Sequence, residues 1–137
     1  MTDARMTLRA MPFVFESSNE HWNPGHWNTA RPEFSQVVNS ASLAMPFLEP
    51  YLIRSMRAAR GKITDPALLV DLDLYIRQEA AHYKQHQLFN ETLRAAGYTC
   101  IDAIESRLAA DYNKLEKERS LRFNLAYAEG FEAMALA

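Results

Sequence analysis

The stretch TDPALLVDLDLYIRQEAAHYKQHQLFNETLRAAG, residues 64–97, decides the fold. It opens on Thr64-Asp65-Pro66, a side-chain acceptor for a helix cap followed by a proline suited to the first helical position. Leu68, Leu69, Leu72, Tyr75, Ile76, Tyr83, Phe89 and Leu93 then recur at helical spacing, and Gly97 ends the run. Glu79, His82 and His86 lie inside that apolar stripe. At about 100° per residue, three steps return to within about 60° of the start and seven steps to within about 20°. The three groups therefore share one face with Leu72 and Leu93. Burying a carboxylate and two imidazoles there costs several kcal/mol unless each finds a partner. A divalent metal is a partner that satisfies all three. An exposed charged face is the competing explanation.

Outward from this helix the pattern repeats. Phe34, Val37, Val38, Ala41, Met45, Leu48, Leu52, Ile53 and Met56 trace an earlier helix, with Gly61 suited to its end. Pro46 and Pro50 each remove a backbone donor, so a kink or break is expected there. Glu49 sits on this helix's inward stripe. A later segment runs from Ile101 through Ile104, Leu108, Tyr112, Leu115, Leu121, Leu125, Ala128 and Phe131. Its length predicts a break around Lys117–Leu121. Glu132 follows Ala128 by four and points inward, with Glu129 as the competing choice.

Residues 1–32 read as an irregular arm across the bundle surface, and 33–137 as the helical domain. Pro12, Pro24, Gly25 and Pro32 interrupt any period in the arm, and Asn23-Pro24-Gly25 is a turn signal. His21 and His26 lie there between tryptophans, which suits a stacking arm better than a metal site. Cys100, beside a helix start, is expected to be a small packed residue. Asn90 and Tyr83 fit either as donors supporting the histidines or as ordinary boundary residues.

Composition sets outer bounds. The chain has 137 residues, 48 % apolar and 23 % charged, with a formal charge of −2. Such a length can bury roughly 68–70 % of its unfolded surface without staples. The charge balance argues against a nucleic-acid or membrane-surface coat. Four glycines and few β-branched runs argue against an all-β sandwich. A single cysteine excludes an internal disulfide framework. No 18-residue apolar run or signal peptide is evident, so a cytoplasmic location is expected. There is no phosphate-binding glycine loop and no Gly-x-Ser-x-Gly elbow.

A lone Glu, then Glu-x-x-His, then a lone Glu on successive helices is three quarters of the di-iron carboxylate arrangement. The fold class expected is therefore all-α, a ferritin-like helical bundle reduced to about three long helices. Phe47-Leu48-Glu49-Pro50-Tyr51-Leu52-Ile53-Arg54-Ser55-Met56-Arg57, Ile63-Thr64-Asp65-Pro66, Gln78-Glu79-Ala80-Ala81-His82-Tyr83-Lys84-Gln85-His86 with Asn90, and Leu125-Ala126-Tyr127-Ala128-Glu129-Gly130-Phe131-Glu132 resemble the bacterial family of predicted metal-dependent hydrolases, from about Phe34 to the end. The resemblance implies that Glu49, Glu79, His82 and Glu132 match the family's inward acidic and histidine positions and that His86 matches its second histidine. It also implies a longer chain with further helices, and Ala133 stands where many relatives carry a histidine.

These readings give a metal-dependent enzyme with Glu49, Glu79, His82, His86 and Glu132 as metal ligands, His86 as a ligand or as support for one. Carboxylate-rich ligation places iron or manganese, as a dinuclear site, ahead of zinc. Oxidation of a small organic substrate and hydrolysis by an acidified water both fit. The alternative is a non-enzymatic helical subunit. A bundle lacking its fourth helix exposes apolar surface, so a homo-oligomer, or the N-terminal piece of a longer protein, is also expected.

Overall fold

The computed structural model describes residues 7–10, 13–15 and 23–135. Four helices follow the arm: α1 (Pro32–Ala59), α2 (Pro66–Ala95), α3 (Ile101–Glu118) and α4 (Leu121–Ala135), with a short 3-10 turn at Arg60–Lys62. No strand occurs among the described residues, so the fold is an all-α helical bundle. No described helix is long and apolar enough to cross a membrane.

The helix ends follow local chemistry. Pro32 occupies the first turn of α1, with Glu33 at its positive end. Asp65 caps α2 by accepting from the Ala67 amide at 2.9 Å. Gly97 leaves α2 with φ +93, the left-handed conformation that glycine adopts without a Cβ penalty. The long third segment breaks where expected. Arg119 turns extended, and the Ser120 hydroxyl accepts from the Phe123 amide at 3.2 Å to begin α4. The bundle thus has four helices, two of them made from the expected third.

Of the kink or break expected at Pro46 and Pro50, the break does not occur: α1 runs through both. Proline at 46 leaves the Ser42 carbonyl without its i+4 amide. Asn90 of α2 replaces it, donating Nδ2–H to that carbonyl at 3.2 Å.

Helix α1 is the hub on which α2, α3 and α4 each pack. Leu48, Tyr51, Leu52 and Ala128 form one buried cluster, with Tyr112, Leu115, Tyr127 and Phe131 against it. The Tyr51 hydroxyl donates to Asn124 Oδ1 at 2.9 Å, which satisfies both buried polar groups. Ile53, Leu72 and Ile76 form a second cluster, with Tyr75 and Tyr83 against it. Burying a large apolar side chain contributes about 1.5–3 kcal/mol, so these two clusters hold α1 to its neighbours. Phe34, Val37, Leu68 and Ile104, read as stripe residues, are exposed. Cys100 is exposed too, contrary to expectation, because Ile101 takes the buried position at the α3 start.

The described arm residues before Pro32 carry no helix and lie against α1 and α2. The Arg9 amide donates to Gln78 Oε1 at 2.9 Å. The Asn23-Pro24-Gly25 turn is clamped by α1: Asn39 donates to the Pro24 carbonyl at 3.1 Å, and Gln36 to the Gly25 carbonyl at 2.5 Å. Trp27 donates its indole N–H to Asn39 Oδ1 at 3.0 Å.

Candidate metal centre

Three helices bring the five acidic and histidine residues together. Glu49 projects from α1 and is only 2 % exposed. Its Oε1 lies 2.9 Å from Nδ1 of His82 on α2. The same nitrogen is 3.7 Å from Glu79 Oε2, one turn earlier. From α4, Glu132 accepts from the Tyr75 hydroxyl at 2.8 Å. Glu79 and Glu132 are both close enough to Glu49 for their charges to raise its pKa. One ligand atom each from Glu49, His82 and His86 fall within 4.8 Å of one another. Glu129, the competing residue on α4, is exposed, so the inward position is Glu132.

Burial pushes the Glu49 carboxyl above its ordinary range, against the pull of its hydrogen bond from His82. The hydrogen bond from His82 to Glu49, with the Glu79 carboxylate beside it, holds the His82 imidazolium up to about 10. His86 moves the other way, to about 4, because it is desolvated and sits beside charged His82.

Hydrogen bonds assign the protons on the two rings. The Ser42 hydroxyl donates to Asn90 Oδ1 at 2.8 Å. Toward His86 Nδ1, also 2.8 Å away, it can therefore only accept. Neutral His86 thus carries its proton on Nδ1 and turns the Nε2 lone pair toward His82. His82 Nε2 lies 3.1 Å from that nitrogen and donates to it when the ring is protonated.

This arrangement fits a cation. Two imidazole nitrogens and a carboxylate form a His2Glu donor set, which suits zinc and other divalent first-row ions. With metal–nitrogen distances of about 2.0–2.1 Å, the nitrogens of a tetrahedral site stand about 3.3 Å apart, close to the spacing seen here. Glu49 Oε2 is buried and has no hydrogen-bond partner, an arrangement that costs stability unless something electropositive meets it. The Ser42–Asn90 pair fixes the His86 tautomer, the support that metal-binding histidines commonly have.

A cavity of about 400 Å³ opens beside the histidines. Phe13, Phe15 and Trp27 of the arm line it together with Val38 of α1 and Phe89 of α2. Its polar lining is Ser42, His82, Gln85 and His86.

Of the other residues singled out in the sequence, His26 is exposed and is not among the grouped ligand residues, and His21 lies outside the described residues. Asn90 is 1 % exposed and supports His86, whereas Tyr83 packs at the edge of the Ile53 cluster. Ser42, Tyr75 and Gln85 were not singled out. Ser42 precedes Glu49 by seven residues and Tyr75 precedes His82 by seven, so helical spacing alone could have placed them on the same faces.

The structure thus defines a helical bundle in which the buried Glu49 of α1 meets the half-buried His82 and His86 of α2. The sequence matches the family model of predicted metal-dependent hydrolases over residues 7–136, and the chain belongs to that family. The match takes in described arm residues as well as the helices. No curated protein and no solved structure matches the chain significantly.

Proposed function

We propose that the protein is a metal-dependent hydrolase that holds one divalent ion through Glu49, His82 and His86. The observation that carries this reading is that one ligand atom from each of those three side chains lies within 4.8 Å of the others, where Glu49 also has a buried carboxylate oxygen without a partner among the described residues. Bound there, a divalent ion supplies Lewis acidity, polarising a carbonyl or phosphoryl oxygen and making water nucleophilic at neutral pH. The chain's own residues do the rest. Glu79, beside His82, is placed to take a proton from water, and Tyr75 holds Glu132 in orientation. Ser42 and Asn90 keep the His86 lone pair directed at the ion.

The decisive experiment is elemental analysis of protein purified without added metal, with H82A and E49Q beside it. One equivalent of zinc or another divalent ion, lost in both variants, supports the reading. Metal content unchanged in the variants sinks it.

A second reading rests on the proximity of Glu79 and Glu132 to Glu49. Three carboxylates and two imidazoles are enough for a dinuclear iron or manganese centre performing oxidation. Two equivalents of iron or manganese with oxygen consumption would select it. Self-association belongs to the same proposal: Leu68, Val70 and Met134 are each exposed by half or more. A monomer in sedimentation velocity removes that part.

A further inference from the structure

The cavity beside the histidines has a specific chemical character. Its apolar walls are mostly rings: Phe15 meets Phe89 edge-on at 5.4 Å between centroids, and Phe13 tilts against Phe15 at 6.3 Å. Trp27 closes another side, anchored through its indole N–H to Asn39. Faces and edges in this arrangement suit a flat ring better than a flexible chain. About 400 Å³ lies within the range of small-molecule sites. Among the described residues no lysine or arginine lines it, and the imidazolium of His82 is already paired with Glu49 and Glu79, so no free cation there favours a phosphate or a second carboxylate.

One polar atom in the lining is unexplained. Gln85 Oε1 is buried and has no hydrogen-bond partner among the described residues. A buried amide oxygen left alone costs about 1–3 kcal/mol. It follows His82 by one helical turn and precedes Phe89 by another, so it stands between the candidate metal cluster and the aromatic wall. An oxygen can only accept, so the ligand it selects must bring an N–H or O–H.

Resting on the hydrolase reading above, we infer that the substrate is a neutral N-substituted amide whose aromatic portion fills this cavity while Gln85 Oε1 accepts its amide N–H. A secondary amide carries its donor on the atom adjacent to the carbonyl carbon. Seating the N–H on Gln85 therefore sets the carbonyl within one bond of it, toward His82 and His86. Hydrolysis breaks the C–N bond and forms a C–O bond from the water oxygen. One water proton ends on the amine nitrogen and the other stays with the carboxylic acid, so no oxidant or reductant is needed. An ester of the same shape lacks the donor and leaves Gln85 unpaired, the situation in which a polar site discriminates most strongly.

The test compares benzanilide with phenyl benzoate, which have nearly the same shape and differ by N–H against O. The full chain carries W22F, leaving Trp27 as the sole tryptophan. Quenching of Trp27 emission reports occupancy, in protein with and without prior chelator treatment. Benzanilide is expected to bind at least about tenfold tighter than phenyl benzoate in both, a difference of about 1.4 kcal/mol. Q85L should abolish that preference by weakening benzanilide alone, and unchanged phenyl benzoate affinity shows that the variant still folds. Equal affinities, a preference that survives in Q85L, or no quenching by either compound overturns the inference. Because the preference is read without metal, its failure is distinct from failure of the hydrolase reading, which elemental analysis decides.

Discussion

Asn90 Nδ2 donates to the Ser42 carbonyl at 3.2 Å, the carbonyl that Pro46 deprives of its helical amide. The same side chain accepts from the Ser42 hydroxyl at 2.8 Å, and that hydroxyl accepts from His86. A proline inside α1 and an asparagine on α2 are therefore two halves of one device. The device keeps α1 continuous past the cluster and fixes which His86 nitrogen is bare. Asn90→Leu should leave the Ser42 carbonyl unpaired and take away the acceptor of the Ser42 hydroxyl, which keeps His86 as a partner, and so destabilise the protein by about 1–3 kcal/mol. Pro46→Ala restores an amide opposite that carbonyl, so the cost of N90L should be smaller in a P46A background. Urea unfolding of the four proteins measures the coupling. Equal cost of N90L in both backgrounds would show that the proline and the asparagine are unrelated.

Metal binding should release a proton. His82 is held protonated up to about 10, and its Nε2–H points at the lone pair of His86. His82 and His86 would hold a divalent ion only with that proton gone, because imidazoles bind metals in the neutral form. Zinc affinity should therefore rise by about tenfold per pH unit between pH 6 and 9, one proton leaving for each ion bound. Calorimetric titrations in two buffers of different ionisation enthalpy count the protons. A pH-independent affinity would mean that the ion does not displace the imidazolium proton.

The bundle was legible because Leu48, Leu52, Leu72, Ile76 and Ala128 repeat with the period of a helix, and all five are buried. Glu49, His82 and His86, which the fold brings together, stand out in the sequence for a related reason: acids and imidazoles interrupting such a stripe must find partners. What sequence could not supply was pairing across helices. Pro46 reads locally as a helix breaker, and only the neighbouring α2 explains why α1 persists. Gln85 sits among Lys84, His86 and Gln87 and looks like surface, yet its oxygen is buried beside the arm. Phe34 and Val37 fit the α1 stripe, but α1 presents them outward, where Phe34 meets Trp27 edge-on at 5.9 Å. The arm itself has no period to read, and its position depends on single hydrogen bonds to Gln36, Asn39 and Gln78.

The clamp on the arm gives a further test. A Cβ on Gly25 would collide with the Tyr98 hydroxyl and crowd Asn23 Oδ1 at 3.1 Å. Gly25→Ala should therefore push Tyr98 aside and break its 3.0 Å bond from Gln36, costing about 1 kcal/mol or somewhat more. Removing the obstacle in a Y98A background should return most of that cost. Thermal unfolding of the single and double variants decides it. A Gly25→Ala protein as stable as the parent would mean that the turn is not held against Tyr98.

The two histidines should shape the stability of the metal-free protein in opposite directions. His82 has a folded pKa raised from 6.5 to about 10, so its contribution is fully present below about 6.5 and is lost as pH rises toward 10. His86 has a folded pKa lowered from 6.5 to about 4, so its contribution is present above about 6.5 and is lost as pH falls toward 4. Chelator-treated protein should accordingly be most stable near pH 6.5, so far as these two groups decide it, and lose stability on both sides. Glu49→Gln removes the first cause of the raised His82 value, and should flatten the alkaline limb while moving the His82 titration toward its ordinary range. Urea unfolding from pH 5 to 9, with the imidazole carbon resonances followed by NMR, reads both effects. An unchanged alkaline limb in E49Q, with His82 still titrating near its original value, would show that Glu49 is not what holds the proton on His82.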